Sequence, residues 1–341
     1  MGGGRRTIHA IPTFLPGRMS TERSAVVLFN LGGPDSLEAV RPFLYNLFSD
    51  PDIFKLPLGF ITQKPFAWLI SARRAPEAAH GYAALGGHSP LLENTQKQAA
   101  ALQRELGADF DVHICMRYWH PMTPKVVADL KRGNYARVVL LPLYPQYSIT
   151  TTGSSYNEFQ RECRRQHYAP RVVFVRQWYD QPDFLAAIAE AIATEARNLP
   201  EPEPERIELL FSAHGLPQKI VAAGDPYEQQ VRATFEAVRA ALGWPHTTLC
   251  YQSRVGPLKW LQPYTEDVIR QKAAAGARQL LVYPIAFVSD HVETLYELGI
   301  QYAEKARRLG IPHYRVVPAL NDHPRLISAL KNLVRQALAQ P

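Results

Sequence analysis

The chain has 341 residues, long for one ordinary domain of about 100–200 residues, so two lobes of related size are expected. With 46% hydrophobic and 20% charged residues it holds ample material for packed cores, which excludes disorder as its main state. The net charge of +7 suits an anionic ligand or surface, but the basic residues fall as scattered pairs such as Arg73-Arg74 and Arg164-Arg165, which argues against nucleic acid as partner.

Residues 1–22 open with Gly2, Gly3 and Gly4, and the apolar stretch that follows is broken by His9, Pro12 and Pro16. They read as a loose leader and not as a secretory signal. Ala25-Val-Val-Leu-Phe29 is a short β-rich run ending at Gly32-Gly33-Pro34, with Asp35 or Ser36 available to cap a following helix. This is a strand passing into a helix through a tight turn. An apolar surplus follows at about 48–90, with Phe48, Phe54, Leu58, Phe60, Ile61 and Trp68 interrupted by Pro57 and Pro65. Two readings suit it: an apolar lip over a cleft, or an ordinary packed helix pair. The nearest approach to a membrane span, Leu56 to Ile70, is cut by Gln63, Lys64 and Pro65, short of the roughly 18 uninterrupted apolar residues that a span needs.

The strand pattern recurs at Val112-His-Ile-Cys115, Arg137-Val-Val-Leu-Leu141, Arg171-Val-Val-Phe-Val175, Ile207-Glu-Leu-Leu-Phe211, Thr248-Leu-Cys-Tyr251, Gln279-Leu-Leu-Val-Tyr283 and Tyr314-Arg-Val-Val317, with helical stretches between most of them. Such alternation predicts parallel sheets covered on both faces. The segment from Ala136 to Ser148 also lays without gaps on the segment from Ala277 to Ser289, and Leu28-Phe29-Asn30 matches Leu210-Phe211-Ser212; an internal repeat of this kind implies two lobes of similar topology. The expected lobes are residues 23–165, carrying the lip insertion, and 166–322. A C-terminal helix at about 323–341 is expected to pack back on the first.

Phe211-Ser-Ala-His214-Gly-Leu-Pro217 places a histidine just beyond a parallel strand, where open α/β sheets form ligand crevices. By itself it is a functional histidine or a hydrogen-bonded structural one. In Ser289-Asp-His-Val-Glu-Thr-Leu-Tyr-Glu297, a helix would stack Asp290, Glu293, Glu297 and Glu304 on one face, where like charges repel. A metal cation, a proton relay or facing arginines would relieve the repulsion; a solvated acidic face is the alternative. Residues 144–156, rich in hydroxyls around Gly153, could cradle an anion, although no nucleotide-binding fingerprint is present. Met116-Arg117-Tyr118-Trp119-His120-Pro121 suits stacking on a flat anionic ligand or simple core packing. The three cysteines, Cys115, Cys163 and Cys250, are too dispersed for a disulfide scaffold or a local metal knuckle, which fits a reducing compartment.

Taken together and in order, these strings resemble the ferrochelatase family. The likeness runs from about Ala25 to Pro318 and includes Asn30-Leu-Gly-Gly-Pro34, Gly86-Gly87-His88-Ser89-Pro90, Arg117-Tyr118-Trp119-His120-Pro121, Tyr144-Pro-Gln-Tyr-Ser148, Thr152-Gly-Ser-Ser155, Phe211-Ser-Ala-His214, Gly224-Asp-Pro-Tyr227, Tyr251-Gln-Ser-Arg-Val-Gly-Pro257 and Ser289-Asp-His-Val-Glu293. The resemblance implies two Rossmann-like lobes, each a parallel sheet flanked by helices in the chelatase manner, with a porphyrin cleft between them. It implies insertion of Fe²⁺ into protoporphyrin IX, both as substrates; a cytoplasmic location is expected, and the apolar lip, an amphipathic surface without a span, should give reversible peripheral attachment to a membrane surface. A coproporphyrin or other tetrapyrrole chelatase, or a non-catalytic tetrapyrrole or iron carrier, are the alternatives; monomer and homodimer both stay open.

By the same resemblance His214 and Glu293 are the catalytic pair. Asp290, His291 and Glu297 join them in metal or proton handling. Leu31, Tyr118 and Trp260 would pack on the macrocycle, and Arg74, Tyr82 and Ser89 would meet its propionates. Some family members hold a [2Fe–2S] cluster through a cysteine in the Tyr-Pro-Gln-Tyr-Ser string and others near the C-terminus. Here Ile149 stands at the first position and no cysteine follows Cys250, so no cluster and no permanently bound cofactor are expected. His88, in place of the family's usual glycine, has no assigned role.

Overall fold

The computed structural model describes residues 21–339. The leader expected over 1–22 lies outside the described residues apart from Thr21 and Glu22, which already belong to the first strand. The chain forms two four-stranded sheets. The first contains β1 (Thr21–Asn30), β2 (Phe110–Met116), β3 (Tyr135–Pro142) and β4 (Val172–Phe174) in the order β2-β1-β3-β4. The second contains β5 (Glu208–His214), β6 (Thr247–Gln252), β7 (Gln279–Tyr283) and β8 (His313–Val316) in the order β6-β5-β7-β8. Every pairing is parallel. Each lobe thus starts its sheet at a central strand and adds the next two strands on either side of it, the repeated winding that the internal repeat implies.

Alternation along the strands sets the layers, because successive side chains leave opposite faces. Val26, Leu28, Val139 and Leu141 share a core with Leu209, Phe211, Leu281 and Tyr283 of the second sheet. Their neighbours Ala25, Val27, Phe29, Val138 and Leu140 pack instead on Val126, Val127, Leu130 and Phe159, from the helices Thr123–Gly133 and Ser154–Arg165. One continuous core therefore joins the lobes, which holds the strand ends of both sheets in fixed relation. The C-terminal helix Pro324–Ala339 closes this core. It lies against the helices Leu91–Leu106 and Pro182–Ala196 and against β3 and β4.

The lobe division read at 165/166 falls one strand early. Val138, Val139 and Leu140 pair with Val172, Val173 and Phe174, so β4 is the edge of the first sheet. A three-residue edge strand carries too little pattern to reveal which sheet it joins.

The insertion carries the helix Gly59–Ala84, which packs on the preceding helix Val40–Phe48. It is packed on one face and exposed on the other. Val40, Phe43, Leu44, Phe48 and Ala67 form a packed satellite cluster, whereas Leu58, Phe60 (87% exposed), Ile61, Trp68 (59% exposed) and Leu69 face solvent. Among the described residues no helix is long and apolar enough to cross a membrane.

Candidate active site

The carboxyl ends of β1 and β5 open on one cleft of about 830 Å³ between the lobes, where parallel sheets place their ligands. Its walls are largely apolar: Phe43, Leu44, Leu47 and Phe54 on one side, Leu216, Trp260 and Phe287 on the other. A wide apolar slot with few polar groups suits a flat hydrophobic ligand.

The polar groups gather at one place. His214, the last residue of β5, meets Glu293 with Nδ1 2.8 Å from Oε2. The rings of Trp260 and Phe287 stand edge-on to the imidazole at 6.3 and 6.4 Å between centroids. Glu293 begins a π-helix, Glu293–Tyr302, a rare winding that is frequent at functional sites. The side chain of His291 reaches the same carboxylate at 3.9 Å through Nε2. Glu297, four residues on, accepts hydrogen bonds from the backbone N–H of Ser253 at 3.0 Å and from the Tyr302 hydroxyl at 3.0 Å.

Ser253 joins the two carboxylates. Its Oγ lies 2.9 Å from Glu293 Oε2 and 2.5 Å from Glu297 Oε2, and it is held there by a backbone φ of +62°, which is uncommon for any residue but glycine. A hydroxyl carries one proton and can donate to only one of them. The second contact is satisfied when Glu297 itself is protonated.

The electrostatics set the two carboxylates apart. Burial disfavours the imidazolium of His214, but the charge of Glu293, its hydrogen bond and the charge of Glu297 outweigh burial and raise His214 above the ordinary histidine value. Burial also opposes ionisation of Glu293, yet the charge and hydrogen bond of His214, with His291 and Ser253, bring it down to about 2. Burial and then the like charge of Glu293 push Glu297 up, over the opposing bonds from Ser253 and Tyr302. Burial lowers His291 despite the nearby carboxylates. Two carboxylates bridged by Ser253 thus differ in proton affinity, Glu293 below and Glu297 above the ordinary carboxylate value.

Asp290 departs from the expected set. Its carboxylate turns from the cleft and accepts from the Thr294 hydroxyl at 2.9 Å, the Ala319 N–H at 3.2 Å and the Asn321 side-chain amide at 2.8 Å. It precedes the helix instead of lying on it, and the π winding further breaks the i, i+3, i+7 stack; Glu304 pairs with Arg308 on the surface. Among the described residues no group of three or more His, Cys, Asp or Glu is arranged to hold a metal ion.

Of the residues expected at the porphyrin, Leu31, Arg74, Tyr82, Ser89 and Trp260 line the cleft. Arg74 is partly exposed with Glu77 3.6 Å away, and a Cβ on Gly33 would overlap the Ser89 hydroxyl, so that turn requires glycine. Tyr118 does not line the cleft. Its ring is buried and its hydroxyl donates to Asp50 at 2.6 Å, within a cluster where Arg117 pairs with the same carboxylate at 2.9 Å. The buried charge of Asp50 takes up both groups that the sequence suggested for stacking. His88 is exposed, with Nδ1 3.3 Å from the Gly86 carbonyl, and is not a cleft residue. Ser253, Tyr302 and Phe287 escaped sequence reasoning; only the string Tyr251-Gln-Ser-Arg hinted at the first.

The family model described as Ferrochelatase matches residues 23–338. The chain is 47% identical over 326 residues to a protein named ferrochelatase from Cyanothece sp., covering 94% of this chain and 84% of that one. To another of the same name from Thermosynechococcus vestitus it is 48% identical over 326 residues, 94% of this chain and 83% of the other. Among solved structures, SirB from Bacillus subtilis with Fe³⁺ aligns with a TM-score of 0.56 over 93% of this chain and 96% of its own at 10% identity, a likeness of fold alone.

Proposed function

That the chain belongs to the ferrochelatase family is the premise from which we propose its reaction: insertion of Fe²⁺ into protoporphyrin IX to give protohaem and two protons. The observation that carries the reading is the pairing of His214 with Glu293 inside an apolar slot. Metallation must take two protons from pyrrole nitrogens and deliver a dehydrated cation to the same nitrogens. With Nδ1 donating to Glu293, the Nε2 lone pair of His214 is left to accept a proton, and the adjacent anion raises its basicity. Glu293 then stabilises the imidazolium, and Ser253 and Glu297 continue the chain of exchangeable protons away from the cleft. Fe²⁺ is handled as cargo at the His214–Glu293 pair, with the porphyrin nitrogens supplying the remaining donors. No resident cofactor enters this scheme, and no [2Fe–2S] cluster is expected.

The wall of Leu31 and Trp260 would pack on the macrocycle while Arg74, Tyr82 and Ser89 meet its propionates. The exposed face of Phe60, Ile61, Trp68 and Leu69 supports reversible docking on a membrane surface, in a cytoplasm whose reducing conditions suit three free, buried cysteines. An anaerobic assay with Fe²⁺ and either protoporphyrin IX or coproporphyrin tests the reading. Faster metallation of protoporphyrin is expected; preference for the tetracarboxylate would change the substrate, and no metallation of either would overturn the proposal.

A further inference from the structure

The string Gly224-Asp-Pro-Tyr227 has no part in the reaction scheme above, yet it touches both walls of the cleft. It leads into the helix Tyr227–Leu242 of the second lobe, and Gly224 takes a φ of +99°, which favours glycine there. Oδ2 of Asp225 crosses to the first lobe, where it accepts from the Ser148 hydroxyl at 3.0 Å and the Ile149 N–H at 2.8 Å. Ser148 and Ile149 open the helical run that continues into Ser154–Arg165, so the carboxylate also complements the positive end of that run. Oδ1 accepts from the Tyr227 N–H at 3.0 Å, and the Tyr227 hydroxyl donates to the carbonyl of His214 at 2.9 Å. One turn later Gln230 accepts from the Tyr147 N–H at 2.7 Å.

Three consecutive residues, hydrogen-bonded at each end, therefore link the Ser148 side of the cleft to the backbone of the catalytic histidine. We propose that Asp225 and Tyr227 are positioning residues for metallation: they key the loop at residues 146–151, whose Gln146, Ser148 and Thr150 line the cleft, to the placement of the His214 ring. This rests on the ferrochelatase reading and adds to it a clasp that fixes the distance between porphyrin seat and proton acceptor. Proton transfer is sensitive to displacements well under the width of a bond, so a loosened clasp should slow chemistry more than it weakens porphyrin binding.

The test uses the full chain with Tyr227→Phe, Asp225→Ala and Asp225→Asn, assayed for Fe²⁺ insertion and for hydrogen exchange at residues 146–151 and 211–215. Tyr227→Phe keeps the ring and should lower kcat by about tenfold while porphyrin KM stays within about twofold. Asp225→Ala should lower kcat and raise exchange in both segments, and Asp225→Asn, which keeps an acceptor oxygen, should recover kcat to within about threefold of the parent. Wild-type kcat in Tyr227→Phe, or unchanged exchange at 146–151 and 211–215 in Asp225→Ala, would overturn the clasp. A wild-type protein that metallates nothing would instead sink the ferrochelatase reading, and the exchange measurement would still decide whether the clasp exists.

Discussion

The carboxylate of Asp290 accepts from the side-chain N–H of Asn321 at 2.8 Å, and the backbone N–H of Asp290 donates to the side-chain Oδ1 of Asn321 at 2.9 Å. This reciprocal pair anchors the start of the π-helix. Asn94 and Gln98 of the first lobe bond to the neighbouring carbonyls of Asp290 and Asn321, so the anchor spans both lobes.

Asp290→Ala should therefore act on folding first. It would leave the Thr294 hydroxyl, the Ala319 N–H and the Asn321 amide without their acceptor, a loss of about 2–3 kcal/mol. Chemical denaturation checks this. A role confined to metal transfer predicts instead that stability is unchanged and only turnover falls.

His214→Ala should abolish metallation while the protein stays folded, as judged by circular dichroism. In the parent, the rate should fall as pH drops through the raised value of His214, above the ordinary histidine range, because only the neutral imidazole accepts a proton. Glu293→Gln removes the anion that raises it, so burial dominates and the acid limb of the residual activity should move to lower pH. A pH–rate profile of both proteins measures the shift; an unmoved limb would separate Glu293 from the basicity of His214.

The lip makes a separate forecast. Replacing Phe60, Ile61 and Trp68 by polar residues should weaken binding to liposomes while the packed cluster beneath, Phe43, Leu44 and Ala67, preserves the fold. Sedimentation with vesicles reads the effect, and equal binding by variant and parent would remove the membrane role.

The expectation that no iron–sulfur cluster is bound is equally measurable. Cys115, Cys163 and Cys250 are each buried and free, and burial pushes the thiols of Cys115 and Cys250 up to about 12, far from the thiolates that ligate iron. Anaerobically purified protein should show no acid-labile sulfide; a stoichiometric signal would contradict this.

Some of this was legible in the amino-acid order and some was not, for physical reasons. Apolar runs such as Ala25-Val-Val-Leu-Phe29 announce parallel strands because both faces are buried, and the repeat announces the second winding. The His214 and Glu293 assignment came with the family strings, since neither spacing nor charge brings residues 79 positions apart into contact. The π-helix was invisible: a 3.6-residue period is the default for any helical stretch, and the wider turn depends on what Glu293 and Glu297 bond to in three dimensions. Asp290 and Tyr118 show the complementary limit. A sequence states that a carboxylate or a ring is present but not which way it turns, and here Asn321 and Asp50, distant in the chain, decide that.

The last expectation concerns Glu293 and Glu297, which as a simple acidic stack would both relieve repulsion when neutralised. Their surroundings give opposite signs. The folded value of Glu293 is depressed to about 2, so its ionisation contributes stability that is present above the unfolded carboxylate value and is lost as pH falls through about 2. The folded value of Glu297 is raised, so its charged form costs stability near neutral pH, and that cost disappears as pH falls. Glu293→Gln should accordingly lower the melting temperature at pH 7 and impair turnover severely. Glu297→Gln should hold or raise the melting temperature, because the variant keeps the oxygen that accepts from Ser253 and Tyr302 and removes the repelled charge; its turnover should weaken less. Thermal melts of both variants and the parent across pH 4–8, alongside iron insertion, test the signs. Equal stabilisation by the two substitutions would return the pair to a simple repulsive stack, whereas opposite shifts would establish the split in proton affinity on which the relay depends.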